Sequence, residues 1–507
     1  MLEKEQTRKL MTKIKNFLFL ILATFIAACS GDKEGDKSMN AYLASFLSDD
    51  NTVVAYGSSD LNAIIGKSDI QNIPMFGDMI GGTIKDVNQL MAPNSKVYFA
   101  LEGPFNREGM PLRSYLFVDV RNADSLLTSF EEMGYSFVKK DGIQISAQDD
   151  RVIGIQKDLA IGILSDQKLE NGIELMVSAF KKATSGKKND KALTLLNDDS
   201  DIVIGSSLNA LYETSNTDLN TLTQEQQDKI KAYVKDSQYK TAVKFEDGEA
   251  IISVTAMVND KLKEALFLKP TDNSDILSKL GPGTPKAAFS INLDLEKMQA
   301  LAEDFSPGIM NQIYAQAGIP SLFMAGLGPN GLVSIINGQF GIALTGVSND
   351  GGQIPQISAY VGLGKDATPV TEMGKGLLEM NGAQNVNGVY TYEGSKLKLT
   401  EDFVLLNTAV NTVDDSQMGY TAIALPDGAK SFGKKPVTGF LDVKAMAGDA
   451  SFMMEAGDFK EAVNIIDFIY FEADNLESKL VIKAKKGNEN ILKQAIMAYM
   501  KDFAGGF

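Results

Sequence analysis

Apolar positions along this chain follow two rhythms, and the rhythms occur in the same order twice. Period-two alternation predicts strands, and the 3.6-residue period predicts helices. Each half opens with a strand, Val53–Tyr56 or Ala287–Ile291, then a polar turn and a helix, Asp60–Ile65 or Leu293–Glu303. Asp60 and Asn292 suit the N-cap, where a side-chain oxygen accepts a free backbone N–H. A Met- and Phe-rich helical stretch follows, at 75–91 and 308–327. Two strands then pair, 96–102 with 113–120 and 339–346 with 356–363. A helix comes next, at 122–133 or 366–380, and then short strands at 135–164 or 387–409. Asp141-Gly142 and Asp247-Gly248 carry the dipeptide that favours type I′ hairpin turns. A smaller closing module spans 240–246, 249–257 and 259–267. Its counterpart spans 437–443, 458–466, 467–473, 478–484 and 488–503.

Long-range similarity accompanies the repeated order. Ser95–Gly103 aligns with Gly338–Gly346 at an offset of 243, with Ala, Leu and Gly identical. Ile73-Pro74 returns as Ile319-Pro320, and the turn at Asp158 returns at Asp402. Lys261–Ala265 resembles Ile491–Ala495. The expected fold class is therefore α+β, with two homologous halves, each an antiparallel sheet with covering helices. The halves are placed at 46–270 and 285–507. The Pro- and Gly-rich segment 271–284 is read as a linker between them.

The N-terminus supplies an address. Lys13 and Lys15 precede an apolar run, Phe17–Phe25, that is too short to span a bilayer, which takes about 20 residues. Ile26-Ala27-Ala28-Cys29 follows, and this combination reads as a secretory signal. The small residues before Cys29 resemble the bacterial lipobox. That resemblance implies cleavage before Cys29 and diacylglycerol on its sulfur, with acylation of the new amine. Residues 1–28 are then a lipoprotein signal peptide, whether translation starts at Met1 or Met11. Residues 29–45 are a lipidated Cys and flexible tether, with 30–40 expected to be disordered. Ser30 after the Cys, where the sorting rule would place Asp for inner-membrane retention, favours the outer membrane. The run Ser30–Asp36 loosely resembles an acidic signal for surface exposure, and serves equally as a solvated spacer.

Composition removes much chemistry. The 507 residues include no His, no Trp and one Cys. His-based triads, Cys-His dyads and imidazole-ligated metals are excluded. Internal disulfides and all-Cys metal sites are excluded as well. Residues 1–28 carry five basic and two acidic residues, so their removal takes the net charge from −16 to −19. Such a charge disfavours nucleic acid as a partner.

Carboxylates are the remaining acid–base candidates. The adjacent pairs Glu131-Glu132, Asp149-Asp150, Asp198-Asp199 and Asp414-Asp415 point apart along the chain, whereas a glycosidase needs acids facing each other across a bond. Ser348–Gly352 is the richest oxygen loop, but it lacks the spacing and closing Glu of an EF-hand. Gly326–Gly331 has G-x-G-x-x-G spacing, but Pro329 lies inside it and a strand follows. No catalytic, cofactor-binding or metal-binding residue is assigned, and no cofactor is expected.

The lipobox, the body length and the repeated strand–cap–helix pattern, with Ser290-Ile291-Asn292-Leu293 and Tyr115–Val120, resemble uncharacterised Bacteroidetes lipoproteins defined only by a domain of unknown function. The resemblance implies location and fold, and assigns no site beyond Cys29. The expected function is an outer-membrane-anchored, non-enzymatic binding or scaffold protein of the envelope, with the cell surface as one open position for its body. It would be attached to the membrane through lipid, with an envelope protein or polymer as partner. Two alternatives stand beside it. The Met/Phe stretches suit a carrier of an apolar ligand. Acids from distant segments would suit a carboxylate-dependent hydrolase.

Overall fold

Every strand pairing described within a unit is antiparallel, so each strand neighbours one that runs back beside it. The computed structural model describes residues 33–48, 52–72, 96–215, 222–270, 272–309, 331–348, 354–408, 418–419, 421–448 and 460–505. They fall into two compact units. One is 1–246 with 257–259, and the other is 247–256 with 260–507.

The first unit contains β1 (Val53–Ser59), β2 (Val97–Phe105), β3 (Pro111–Asp119), β4 (Val138–Lys140), β5 (Ile143–Ala147), β6 (Arg151–Gln156), β7 (Leu159–Leu164), β8 (Ile202–Ser207) and β9 (Gln238–Glu246). Its sheet order is β9-β8-β1-β2-β3-β7-β6-β5-β4. Its helices are α1 (Lys33–Phe46), α2 (Leu61–Ser68), α3 (Ala123–Glu132), α4 (Gly172–Ala183), α5 (Asp190–Leu196), α6 (Leu208–Glu213) and α7 (Gln224–Val234). Alternation puts Tyr98, Phe117, Ile161 and Ile163 on one face, under Met39, Leu43 and Phe46 of α1 and Met176 and Phe180 of α4. Phe46 meets Tyr115 at 4.9 Å and Phe117 at 5.1 Å between ring centroids. A smaller cluster beneath α3 holds Ile153 and Ile155 with Leu126 and Phe130.

The second unit contains most of β10 (Glu249–Met257), then β11 (Ala287–Asn292), β12 (Ile336–Ser348), β13 (Ile354–Leu363), β14 (Gln384–Val386), β15 (Val389–Tyr392), β16 (Ser395–Leu399), β17 (Phe403–Asn407), β18 (Val437–Asp442), β19 (Ile466–Ala473) and β20 (Glu477–Ala484). Its sheet order is β10-β20-β19-β18-β11-β12-β13-β17-β16-β15-β14. Its helices are α8 (Asp260–Ala265), α9 (Leu295–Phe305), α10 (Thr368–Met380), α11 (Val443–Ala447), α12 (Lys460–Ile465) and α13 (Ile491–Gly505).

From β1 to β9 and from β11 to β19 the two units follow the same pairing order, and small details follow with it. Val120 N–H donates to the Asp158 carbonyl at 2.7 Å, and Leu363 N–H donates to the Asp402 carbonyl at the same distance. Helix α3 ends in a left-handed Gly134 and α10 in a left-handed Gly382, which spares the closing turn a Cβ clash. The N-caps of α6 and α11 are Ser207 and Asp442, each accepting from the backbone three residues on.

Several expectations change. Asp60 caps α2 through Ala63 N–H as read, but Asp294 caps α9, and Asn292 instead closes β11. The tether does not reach residue 45. Helix α1 begins at Lys33, and Met39, Leu43 and Phe46 are buried, because its apolar spacing closes the first core. The segment 271–284 is no linker. It lies within the second unit, and Ile276 and Leu280 are fully buried in that unit's core. The first half also ends early. β10 belongs to the second unit because Glu249–Thr255 pair residue by residue with β20.

Candidate functional site

Cys29 and the expected signal peptide, residues 1–28, lie outside the described residues, as do 75–91, 310–330, 349–353 and Asp414-Asp415. The expected lipidation position, most of the Met/Phe stretches and most of the two glycine-containing loops are among them. The other carboxylate pairs are described. Glu131-Glu132 end α3 and are exposed. Asp149-Asp150 form the β5–β6 turn, where the Arg151 guanidinium grips Asp150 with two bonds, 2.8 and 2.9 Å long. That grip holds the Asp150 carboxyl below its ordinary range.

Among the described residues, a dense polar cluster surrounds Asp198 and Asp201, between α5 and β8. Burial alone would raise the Asp198 pKa. Hydrogen bonds from Lys240 and from the Ser200 hydroxyl and N–H outweigh it and bring the group down to about 2. Asp201 is buried, and both its oxygens lie 2.8 Å from Lys67 Nζ. It also accepts Phe245 N–H at 2.7 Å. Lys96 Nζ donates to the Asp198 carbonyl at 3.0 Å. Sequence reading singled out Asp198-Asp199 and missed Asp201, whose lysine partner is 134 residues away. These acids are matched ion by ion rather than poised opposite each other. Asp198 is ionised at any ordinary pH, which suits a clasp and not a general acid.

In the second unit the main polar cluster is uncharged at its centre. Gln339 donates at 2.6 Å to Asn273, and its oxygen accepts the Tyr360 hydroxyl at 3.0 Å. Gln339 also donates to Asp275. Asn273 is wholly buried. The network fixes the 272–280 segment against β12 and β13. A second clasp is Asn475. Its side-chain amide accepts from Leu268 N–H at 2.9 Å and donates to the Leu268 carbonyl at 2.8 Å, as a strand neighbour would.

Among the described residues, each unit carries a groove. A groove of about 430 Å³ in the first unit runs between α1 and the β6–β7 turn, lined by Tyr42, Ser45, Lys157, Asp158 and Thr184. The Tyr42 hydroxyl lies 3.5 Å from both Asp158 oxygens. Burial and then the Asp158 charge raise its pKa, which disfavours the phenolate. A groove of about 390 Å³ in the second unit is lined by Lys263, Asp272, Lys434, Lys435 and Asp474. Lys435 is paired with Asp474 at 2.6 Å. Among the described residues no acidic side chains converge to hold a metal ion, and no helix is long and apolar enough to cross a membrane.

No protein-family model and no curated protein matches the chain. Solved structures of a protein named TP0453 do match. Crystal form III is 10% identical and covers 43% of this chain and 83% of its own, with a TM-score of 0.27. Form IV is 10% identical over 42% and 79%, with a TM-score of 0.26. Form I is 11% identical over 43% and 79%, with a TM-score of 0.25. Similarity at this level carries no argument about function.

Proposed function

We propose that the protein is a lipoprotein of the bacterial outer membrane, acylated on Cys29, whose two units bind or scaffold an envelope protein or polymer without turnover. The observation that carries this reading is the lipobox-like Ile26-Ala27-Ala28-Cys29, with the chain's single cysteine at the acceptor position. Two or more acyl chains give stable anchoring where one gives only marginal binding. The engaged state of Asp150, Asp198 and Asp201 supports a binding role over a hydrolytic one. The shared pairing order of β1–β9 and β11–β19 supports descent of the two units from one duplicated ancestor. It also fits the resemblance to the uncharacterised Bacteroidetes lipoproteins.

Membrane fractionation of cells expressing wild type or Cys29→Ser tests the anchor. Wild type should sediment with outer membranes and the variant should not. Equal sedimentation of both would contradict the reading. A turnover activity that survives purification and is lost on one carboxylate substitution would contradict the non-enzymatic part.

A further inference from the structure

Helix α1 makes the connection between anchor and body short, and fixes which end of the first unit it leaves from. Four peptide links separate Cys29 from Lys33, a reach of at most about 14 Å. From Lys33 to Met39 the helix adds about 9 Å. Met39 and Leu43 are fully buried and Phe46 nearly so. Drawing α1 out to lengthen the spacer would expose all three side chains, at about 1.5–3 kcal/mol each. Polar contacts hold the helix in register. Asn40 donates to Asn197 at 2.8 Å at the middle of the helix, and Ser45 donates to the Lys187 carbonyl at 2.7 Å near its C-terminal end. Asn189 also donates to the Leu47 carbonyl. Helix α5 therefore runs antiparallel beside the second half of α1, and of its two ends the turn at Asn197–Asp201 is the nearer to the anchor, about 10 Å along the helix from Lys33.

We propose that this end of the first unit faces the lipid surface at close range, with the Asn197–Asp201 turn toward the headgroups and the Lys187–Asn189 segment away from them. The inference rests on acylation of Cys29. Charge at this end fits such a position. The chain is strongly acidic, but here Lys67, Lys96 and Lys240 engage Asp201 and Asp198. Local neutrality reduces repulsion from a negatively charged headgroup layer.

The test uses the full-length acylated protein in phosphatidylcholine vesicles that carry an acceptor dye on lipid headgroups. With Cys29 acylated, a donor dye is attached through Asp199→Cys or, separately, Lys188→Cys. Both native residues are exposed. The two positions flank a stretch of α1 that rises about 10 Å, so energy transfer should be at least about twofold greater from 199 than from 188. A Gly/Ser insertion of about 20 residues after Ser30 should abolish that difference. Equal transfer, greater transfer from 188, or a difference that survives the insertion would overturn the placement while leaving the anchor intact. An intact mass without acyl groups on Cys29 would overturn the anchor, and the placement with it.

Discussion

The two units share a sheet order and differ in how they cover it. Between β7 and β8 the first unit builds α4 and α5, whose Met176, Phe180, Leu195 and Leu196 seal the core. Between β17 and β18 the described residues of the second unit form only a short 3-10 turn, Asp427–Ala429. Met418, Ile423 and Phe432 do the sealing there, with Phe432 edge-on to Phe440 and Phe440 stacked on Phe468. The segments before the first strand differ in the same way. One is the regular helix α1, and the other is a tight turn around Ile276. A sheet is constrained by pairing at every residue, so its order persists. A cover needs only to fill volume and satisfy its own backbone, and several chain paths can do that.

The far ends differ too. Helix α3 turns Leu126, Leu127 and Phe130 onto the sheet. Helix α10 leaves Met373, Leu377 and Met380 exposed, with Met380 at 85%. The edge strand β4 carries Lys139 and Lys140, which discourage edge-to-edge pairing, whereas β14 reads Gln384-Asn385-Val386. The second unit is thus less guarded at this end.

The comparison can be broken by substitution. The largest effect is expected from Phe46→Ala, which should cost about 3–5 kcal/mol by denaturant unfolding. Ile276→Ala should cost about 2–5 kcal/mol if the 272–280 segment does for the second core what α1 does for the first. A neutral Ile276→Ala would end that equivalence. Phe130→Ser should destabilise by about 2–3 kcal/mol, while Leu377→Ser on the exposed stripe of α10 should stay within about 0.5 kcal/mol. Equal losses would show that α10 is buried in solution, by self-association or by a partner.

Smaller effects probe the clasps. Asp198 has a depressed folded pKa, so the stability it contributes is present above the unfolded value near 3.8 and is lost as pH falls toward about 2. Lys240→Gln should remove about 1 kcal/mol of that dependence, allowing for solvent screening of a pair about one-quarter exposed. A stability profile unchanged between pH 2 and 5 would contradict the assignment. Asn475→Ala should cost about 1–2 kcal/mol through its two lost bonds to Leu268. No loss would mean that water replaces the clasp.

Strands were the legible part of the sequence. β2, β3, β12, β13, β19 and β20 fall where alternation places them, because a half-buried ladder writes its period directly into the chain. The Asp141-Gly142 turn is equally direct, with both residues at positive φ. The cover was less legible. Prolines and glycines around 270–285 suggest a linker by composition, yet Ile276 and Leu280 are two apolar residues four apart, enough to plug a core. Lys33–Lys37 reads as solvated spacer, and only the later Met39, Leu43 and Phe46 give α1 a reason to pack. Ion pairs such as Lys67–Asp201 join residues far apart in sequence, and no local pattern announces them. The adjacent carboxylates misdirect attention for the converse reason, since neighbours in sequence point to different partners.

The account depends most on Cys29, and an intact mass of the mature protein, with sequencing of its N-terminal peptide, tests that directly. The account predicts a chain beginning at Cys29 and carrying diacylglycerol together with an amide-linked acyl chain. A chain that keeps residues before Cys29, or begins there with a free thiol, would contradict it.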